Sequence, residues 1–77
     1  MIKDKECILF FAFRYSLKRQ TYAPSVVCEE LLNCWQDLSH NAKLSIYKEI
    51  KDDYDDLDYI NKKIWDQIIE KYESEIK

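Results

Sequence analysis

The sequence predicts an all-α fold, a compact bundle of four short helices, and three observations predict it. The 77 residues include no glycine and one proline, which leaves little from which to build tight turns. Apolar residues recur at helical spacings of three, four and seven through most of the chain. No stretch carries the alternating pattern of a strand. One domain over 1–77 is expected, with helices at about 5–19, 22–37, 40–53 and 59–74. Its connections are short enough to make neighbouring helices antiparallel or steeply crossed.

Helix 1 carries Phe10, Phe13 and Leu17 on one strip and Ile8, Phe11 and Tyr15 on an adjoining one. A helix apolar on nearly every side is expected to be the most buried of the four, central in the bundle or shared across a dimer. It also holds the only two arginines, Arg14 and Arg19, with Lys18 between them. Their place in the last turns suits the helix dipole. Charges set into so apolar a segment need partners, because an unpaired buried charge is costly. Those partners are either acidic side chains of the chain's own middle or an anionic ligand.

Thr21 is the expected N-cap of helix 2, with Pro24 in its first turn. Val27, Leu31, Cys34, Trp35 and Leu38 then form one apolar face, which makes Trp35 a core anchor. Ser39 caps helix 3, whose apolar positions are Leu44, Ile46, Tyr47 and Ile50. His40, the only histidine, falls in that first turn and reads as a solvated edge residue, since no catalytic signature accompanies it. The acidic run from Asp52 to Asp58 is the expected linker to helix 4. A calcium loop needs a turn glycine and a late glutamate at fixed spacing, and the chain has no glycine, so no metal is expected. The run supplies instead a cap at Asp58 and a partner patch for Arg14, Lys18 or Arg19. Helix 4 presents Ile60, Ile64, Ile68 and Tyr72 on one strip and Trp65, Ile69 and Ile76 on the next, a stripe wide enough for its own core and a second subunit.

The formal charge of −3 is unevenly spread. Residues 1–22 carry a local +3 and residues 23–58 a local −6, which argues against general nucleic-acid binding and leaves room for one confined basic site. The three cysteines, Cys7, Cys28 and Cys34, form no Cys-x-x-Cys pair and read as reduced thiols used in packing. Neither a signal peptide nor a membrane-spanning segment is legible, so the expected location is cytoplasmic.

The segment Phe13-Arg14-Tyr15-Ser16-Leu17-Lys18-Arg19-Gln20-Thr21-Tyr22 resembles the signature of a group of small proteins encoded by bacteriophages and prophages, usually Phe-Arg-Tyr-Ala-Leu-Gly-Arg-x-Thr-Tyr. The likeness continues through Asn33-Cys34-Trp35, Glu49-Ile50 and Trp65, and so spans most of the chain. It departs at Ser16 and at Lys18, where a glycine is usual. The resemblance implies a counter-defence role in a host bacterial cell.

Read chemically, Arg14, Lys18 and Arg19 offer donors for phosphate, and Tyr15 and Tyr22 offer flat faces for a base. Thr21, at the start of helix 2, would place backbone N–H groups beside them. These six residues are the candidate ligand site, with no catalytic residues and no cofactor expected. The leading expectation is a non-enzymatic homo-oligomer that sequesters a small nucleotide immune signal. The alternative is an inhibitor, resembling anti-CRISPR proteins, that binds a host defence protein through Asp52, Asp53, Asp55 and Asp56. A structural adaptor with internal Arg–Asp pairs is the third reading.

Overall fold

The helices stop where two corners of the same design interrupt them. After α1 (Asp4–Arg19), α2 (Pro24–Asn33) gives way to a 3-10 turn at Trp35–Asp37, and α3 (His40–Asp53) to another at Tyr54–Asp56, before α4 (Tyr59–Ile76). The computed structural model describes residues 4–19 and 23–76, and in α1 the side chains from Leu9 onward. The chain is an all-α bundle of four helices, with no strand among the described residues.

Each corner runs aromatic, any residue, Asp, Leu, cap. Leu38 and Leu57 both turn into extended backbone, and each donates its N–H to the carbonyl of the aromatic residue, Trp35 or Tyr54, at 3.1 Å. Both leucine side chains are buried, which ties each corner to the core. The next residue then caps the following helix: Ser39 Oγ accepts from the Ala42 N–H at 3.1 Å, and Asp58 Oδ1 from the Asn61 N–H at 2.8 Å. Both caps are those expected from the sequence, and α3 keeps its expected bounds.

Helix 2 differs from expectation at both ends. It was expected over 22–37, but it starts at Pro24 and stops at Asn33, because Trp35 belongs to the 3-10 corner. Its N-cap position is held by Ala23 in the left-handed region (φ 42°), with no side-chain cap, while Thr21 and Tyr22 lie outside the described residues. The left-handed region costs a residue with a Cβ about 1–2 kcal/mol.

The helices form two stacked hairpins. α1 packs on α2 and α3, and α4 packs on α2 and α3. Arg14 meets Glu49 and Lys18 meets Asp53, so α1 and α3 run in the same sense. Cys28 Sγ donates to the Ile64 carbonyl, and Trp35 Nε1 to Glu75 Oε2 at 3.0 Å, so α2 and α4 also run together. α3 and α4 are antiparallel, with Lys43 against Glu75 and Tyr54 against Asp66. Phe13, Leu31, Trp35, Ile50, Trp65 and Ile68 close the core, Phe13 meeting Trp65 edge-on with ring centroids 5.4 Å apart. Trp35 is thus a core anchor, as its position on the apolar face implies.

Helix 1 contributes Phe13, Ser16 and Leu17 to this core, but it is not enclosed on every side. Phe11 (69% exposed) and Tyr15 (49%) stay on the surface, on the side of α1 turned away from the core. Ile60 and Ile76 on α4 are also exposed, so its inward stripe is narrower than expected.

Along the α3–α4 seam, donors from α3 and the corner after it meet carboxylates of α4: Lys43 to Glu75, Tyr47 to Glu73 at 2.7 Å, and Tyr54 to Asp66 at 2.9 Å. Burial pushes the Glu75 carboxyl up, but hydrogen bonds from Lys43 and Trp35 outweigh it and hold it below its ordinary range. Asp58 is held low by the Asn61 backbone N–H and side-chain amide. Tyr47 and Tyr54 are raised, each hydroxyl proton being held by its carboxylate.

Two outcomes follow from this architecture. Replacing Ala23 by glycine removes the left-handed penalty while loosening the unfolded chain, for a net gain of up to about 1 kcal/mol by urea unfolding. Stability should also be greatest near neutral pH and fall on both sides. The contributions of Asp58 and Glu75 are complete above the ordinary carboxylate range and are lost as pH drops through and below it. Those of Tyr47 and Tyr54 are lost as pH rises past about 10. Urea midpoints across pH check both limbs, and Glu75→Gln should flatten part of the acid one.

Candidate functional site

The outer face of α1 is where the expected ligand residues come together. Helical spacing brings Phe11, Arg14, Tyr15 and Lys18 into one strip, with Arg19 beside Tyr15. These five side chains line a shallow, open depression of about 360 Å³. The Arg14 guanidinium lies 6.0 Å from the Phe10 ring, and that of Arg19 lies 5.4 Å from the Tyr15 ring, close enough for attraction between cation and ring face. Four of the six candidate residues, Arg14, Tyr15, Lys18 and Arg19, are therefore adjacent. The other two, Thr21 and Tyr22, fall outside the described residues.

Two carboxylates of α3 stand beside this face. Lys18 Nζ is 2.7 Å from Asp53 Oδ2, and Arg14 Nε is 3.9 Å from Glu49 Oε1. The first pair is a close ion pair and the second a loose one. The Asp53 side chain is largely covered, whereas that of Lys18 is more than half exposed. The Asp53 carboxylate raises the Lys18 pKa, chiefly by hydrogen bonding. The pairs keep one register because α1 and α3 run in the same sense. That arrangement sets two helix C-terminal ends side by side, each with partial negative charge, and adds the carboxylates of the acidic run. Lys18 and Arg19 in the last turn of α1 answer that charge.

The acidic run is not a separate patch. Asp52 and Asp53 end α3, while Asp55 and Asp56 belong to the following corner. Asp52, Asp55 and Asp56 are exposed, but Asp53 is engaged by Lys18. A small cleft of about 110 Å³ between Leu17, Lys18, Asp53, Asp56 and Leu57 joins the two candidate sites, with Lys18 shared between them. The sequence placed Phe11 on the apolar strip and named neither Phe11 nor Glu49 as a site residue. The signal for Phe11 was its spacing of three, four and seven from Arg14, Tyr15 and Lys18.

Elsewhere, Cys28 is buried and its thiol is pushed up to about 11, which makes it a packing residue without thiolate character at neutral pH. His40 is exposed at the opposite end of α3 from Glu49 and Asp53, with its ring 6.4 Å from that of Tyr72. Among the described residues, no three His, Cys, Asp or Glu side chains are grouped to hold a metal ion, and no helix is long and apolar enough to cross a membrane.

Comparison of the chain with protein-family models, with curated proteins and with solved structures finds no match in any of the three.

The two ion pairs should differ in strength. At low salt Lys18→Met should lower the urea midpoint more than Arg14→Met does, since only Lys18 is in direct contact with its carboxylate. The difference should shrink in about 1 M salt, where the screening length is ~3 Å.

Proposed function

We propose that the chain is a non-enzymatic binding protein that captures a small nucleotide-like ligand on the outer face of α1 and acts as a phage counter-defence sponge. The observation that carries this reading is the depression lined by Phe11, Arg14, Tyr15, Lys18 and Arg19. Guanidinium groups suit phosphate oxygens, and exposed aromatic rings beside them suit a base. The five lining residues present cationic donors and aromatic stacking surface.

All five residues belong to one helix, so the site has a single wall. Small-molecule sites usually enclose most of their ligand. A second copy of the chain laid over Phe11 and Tyr15 would supply the opposite wall and cover exposed aromatic surface, which supports a homo-oligomer with ligands at its subunit boundary.

The inhibitor reading draws on the exposed Asp52, Asp55 and Asp56. The adaptor reading draws on the Lys18–Asp53 and Arg14–Glu49 pairs, but leaves the exposed ring of Phe11 without a role. Native mass spectrometry with and without a nucleotide panel separates the three. Whole-number ligand increments on an oligomer, lost in Arg14→Ala and Arg19→Ala with helical content unchanged, are the expected result. Loss of counter-defence activity only on charge reversal of Asp52, Asp55 and Asp56 would transfer the function to the acidic surface. Arginine variants that lower thermal stability alone would leave the adaptor.

A further inference from the structure

We infer that two copies of the chain pair through α1, the helices antiparallel about a two-fold axis level with Arg14 and Tyr15, so that Lys18 of each copy covers Phe11 of the other. The inference rests on the homo-oligomer proposed above and adds its orientation and register. Its basis is the order of side chains along the outer strip of α1. Phe11 stands two turns before Lys18, about 10 Å along the helix, with Arg14 and Tyr15 midway between them. The strip is aromatic at one end and cationic at the other, and only one way of laying two such strips together matches unlike ends.

Parallel pairing would set Lys18 beside Lys18 and bring together two acidic corners, each with Asp53 and Asp56 next to its Lys18, as well as two negative helix ends. Antiparallel pairing sends the corners to opposite ends of the interface and turns each toward the N-terminal, positive end of the other α1. Each Lys18 keeps Asp53 at 2.7 Å, so the part that reaches Phe11 of the other copy is the methylene stem and open side of an ammonium already neutralised within its own chain. Arg19 already lies over its own Tyr15 ring and is not needed for the pairing. Arg14 and Tyr15, level with the axis, each meet their own counterpart, and Glu49 beside each Arg14 tempers the meeting of two guanidinium groups. Covering Phe11 and Tyr15 supplies the affinity, while the charges select the orientation.

The other large apolar side chains exposed among the described residues are scattered: Val26 on α2, Tyr59 and Ile60 at the start of α4, and Ile76 at its end. Scattered exposure of that kind needs no partner.

The test is cysteine cross-linking of the full chain under mild oxidant, in a Cys7→Ser, Cys34→Ser background that leaves Cys28 buried. A disulfide needs Cβ atoms within about 4.5 Å, far less than the two turns between Phe11 and Lys18. Tyr15→Cys should therefore link to itself. Phe11→Cys and Lys18→Cys should each stay unlinked alone and link when the two proteins are mixed. Self-linking of Phe11→Cys and Lys18→Cys as strong as that of their mixture would mean parallel pairing and would overturn the inference. So would failure of all three to link when circular dichroism shows the parent's helical content. Sedimentation equilibrium gives a second readout without cysteines: Phe11→Lys, which sets lysine against Lys18 of the other copy, should shift the folded chain toward monomer, and an unchanged mass would also overturn the inference. An oligomer with the wrong linking pattern would leave the homo-oligomer standing without this register, whereas a parent chain that sediments as a monomer would remove both. Linking in the expected register with no nucleotide bound would remove the ligand role and leave the pairing.

Discussion

A chain without glycine must change direction without the residue that most easily adopts positive φ, and much of this bundle's architecture follows from that constraint. Two of its three turns avoid positive φ altogether. They tighten the last helical turn into a 3-10 turn, bury one leucine in extended backbone, and restart at a capping side chain. Such a corner is held by the core through Leu38 or Leu57, so helix length and core packing are set together. The remaining turn places Ala23 in the left-handed region, at a cost the packing of α1 on α2 must offset.

The corners stack one helical hairpin on another with α1 and α3 running together, and this determines the electrostatics of the outer face. Parallel neighbours align their dipoles unfavourably, and here the shared C-terminal end also carries the acidic run. The basic last turns of α1 are the local remedy. Lys18 serves it directly through Asp53, while Arg14, one turn earlier, is bound only loosely by Glu49. Two cations of one strip are therefore held to α3 with different firmness. In the phage motif that the sequence resembles, the position of Lys18 is usually glycine. In this chain its side chain is committed to an ion pair with Asp53. Ser16, the other departure, is buried where the small alanine of the motif would also fit, so it leaves the outer face unaltered.

Much of this was legible in the sequence because it is local. The caps at Ser39 and Asp58, the bounds of α3 and the core role of Trp35 each depend on residues within a turn or two of one another. The end of α2 was not legible, since Trp35 fits the apolar periodicity of a longer helix and only the likeness of Trp35-Gln36-Asp37-Leu38-Ser39 to Tyr54-Asp55-Asp56-Leu57-Asp58 signals the corner. The exposure of Phe11 and Tyr15 was hidden for another reason. Apolar composition shows that a strip favours cover, but not whether this chain supplies it. The acidic run was expected to partner a basic residue of α1, as Asp53 does with Lys18. The register of that pair, and the pairing of Arg14 with Glu49 outside the run, required knowing which helix lies beside α1 and in which sense.

The exposed aromatics and the paired cations point the same way once taken together. A face meant only to neutralise the acidic corner would need Lys18 and Arg19, and could be polar at Phe11 without loss. A face meant only for subunit packing would gain nothing from charges around its apolar centre, since desolvating them opposes association. On the ligand-capture reading proposed above, aromatic rings interleaved with cations suit a partner that is flat, apolar on its faces and anionic at its edge. Phe11, Arg14, Tyr15, Lys18 and Arg19 line one face as a set, with Asp53 paired to Lys18 at its edge.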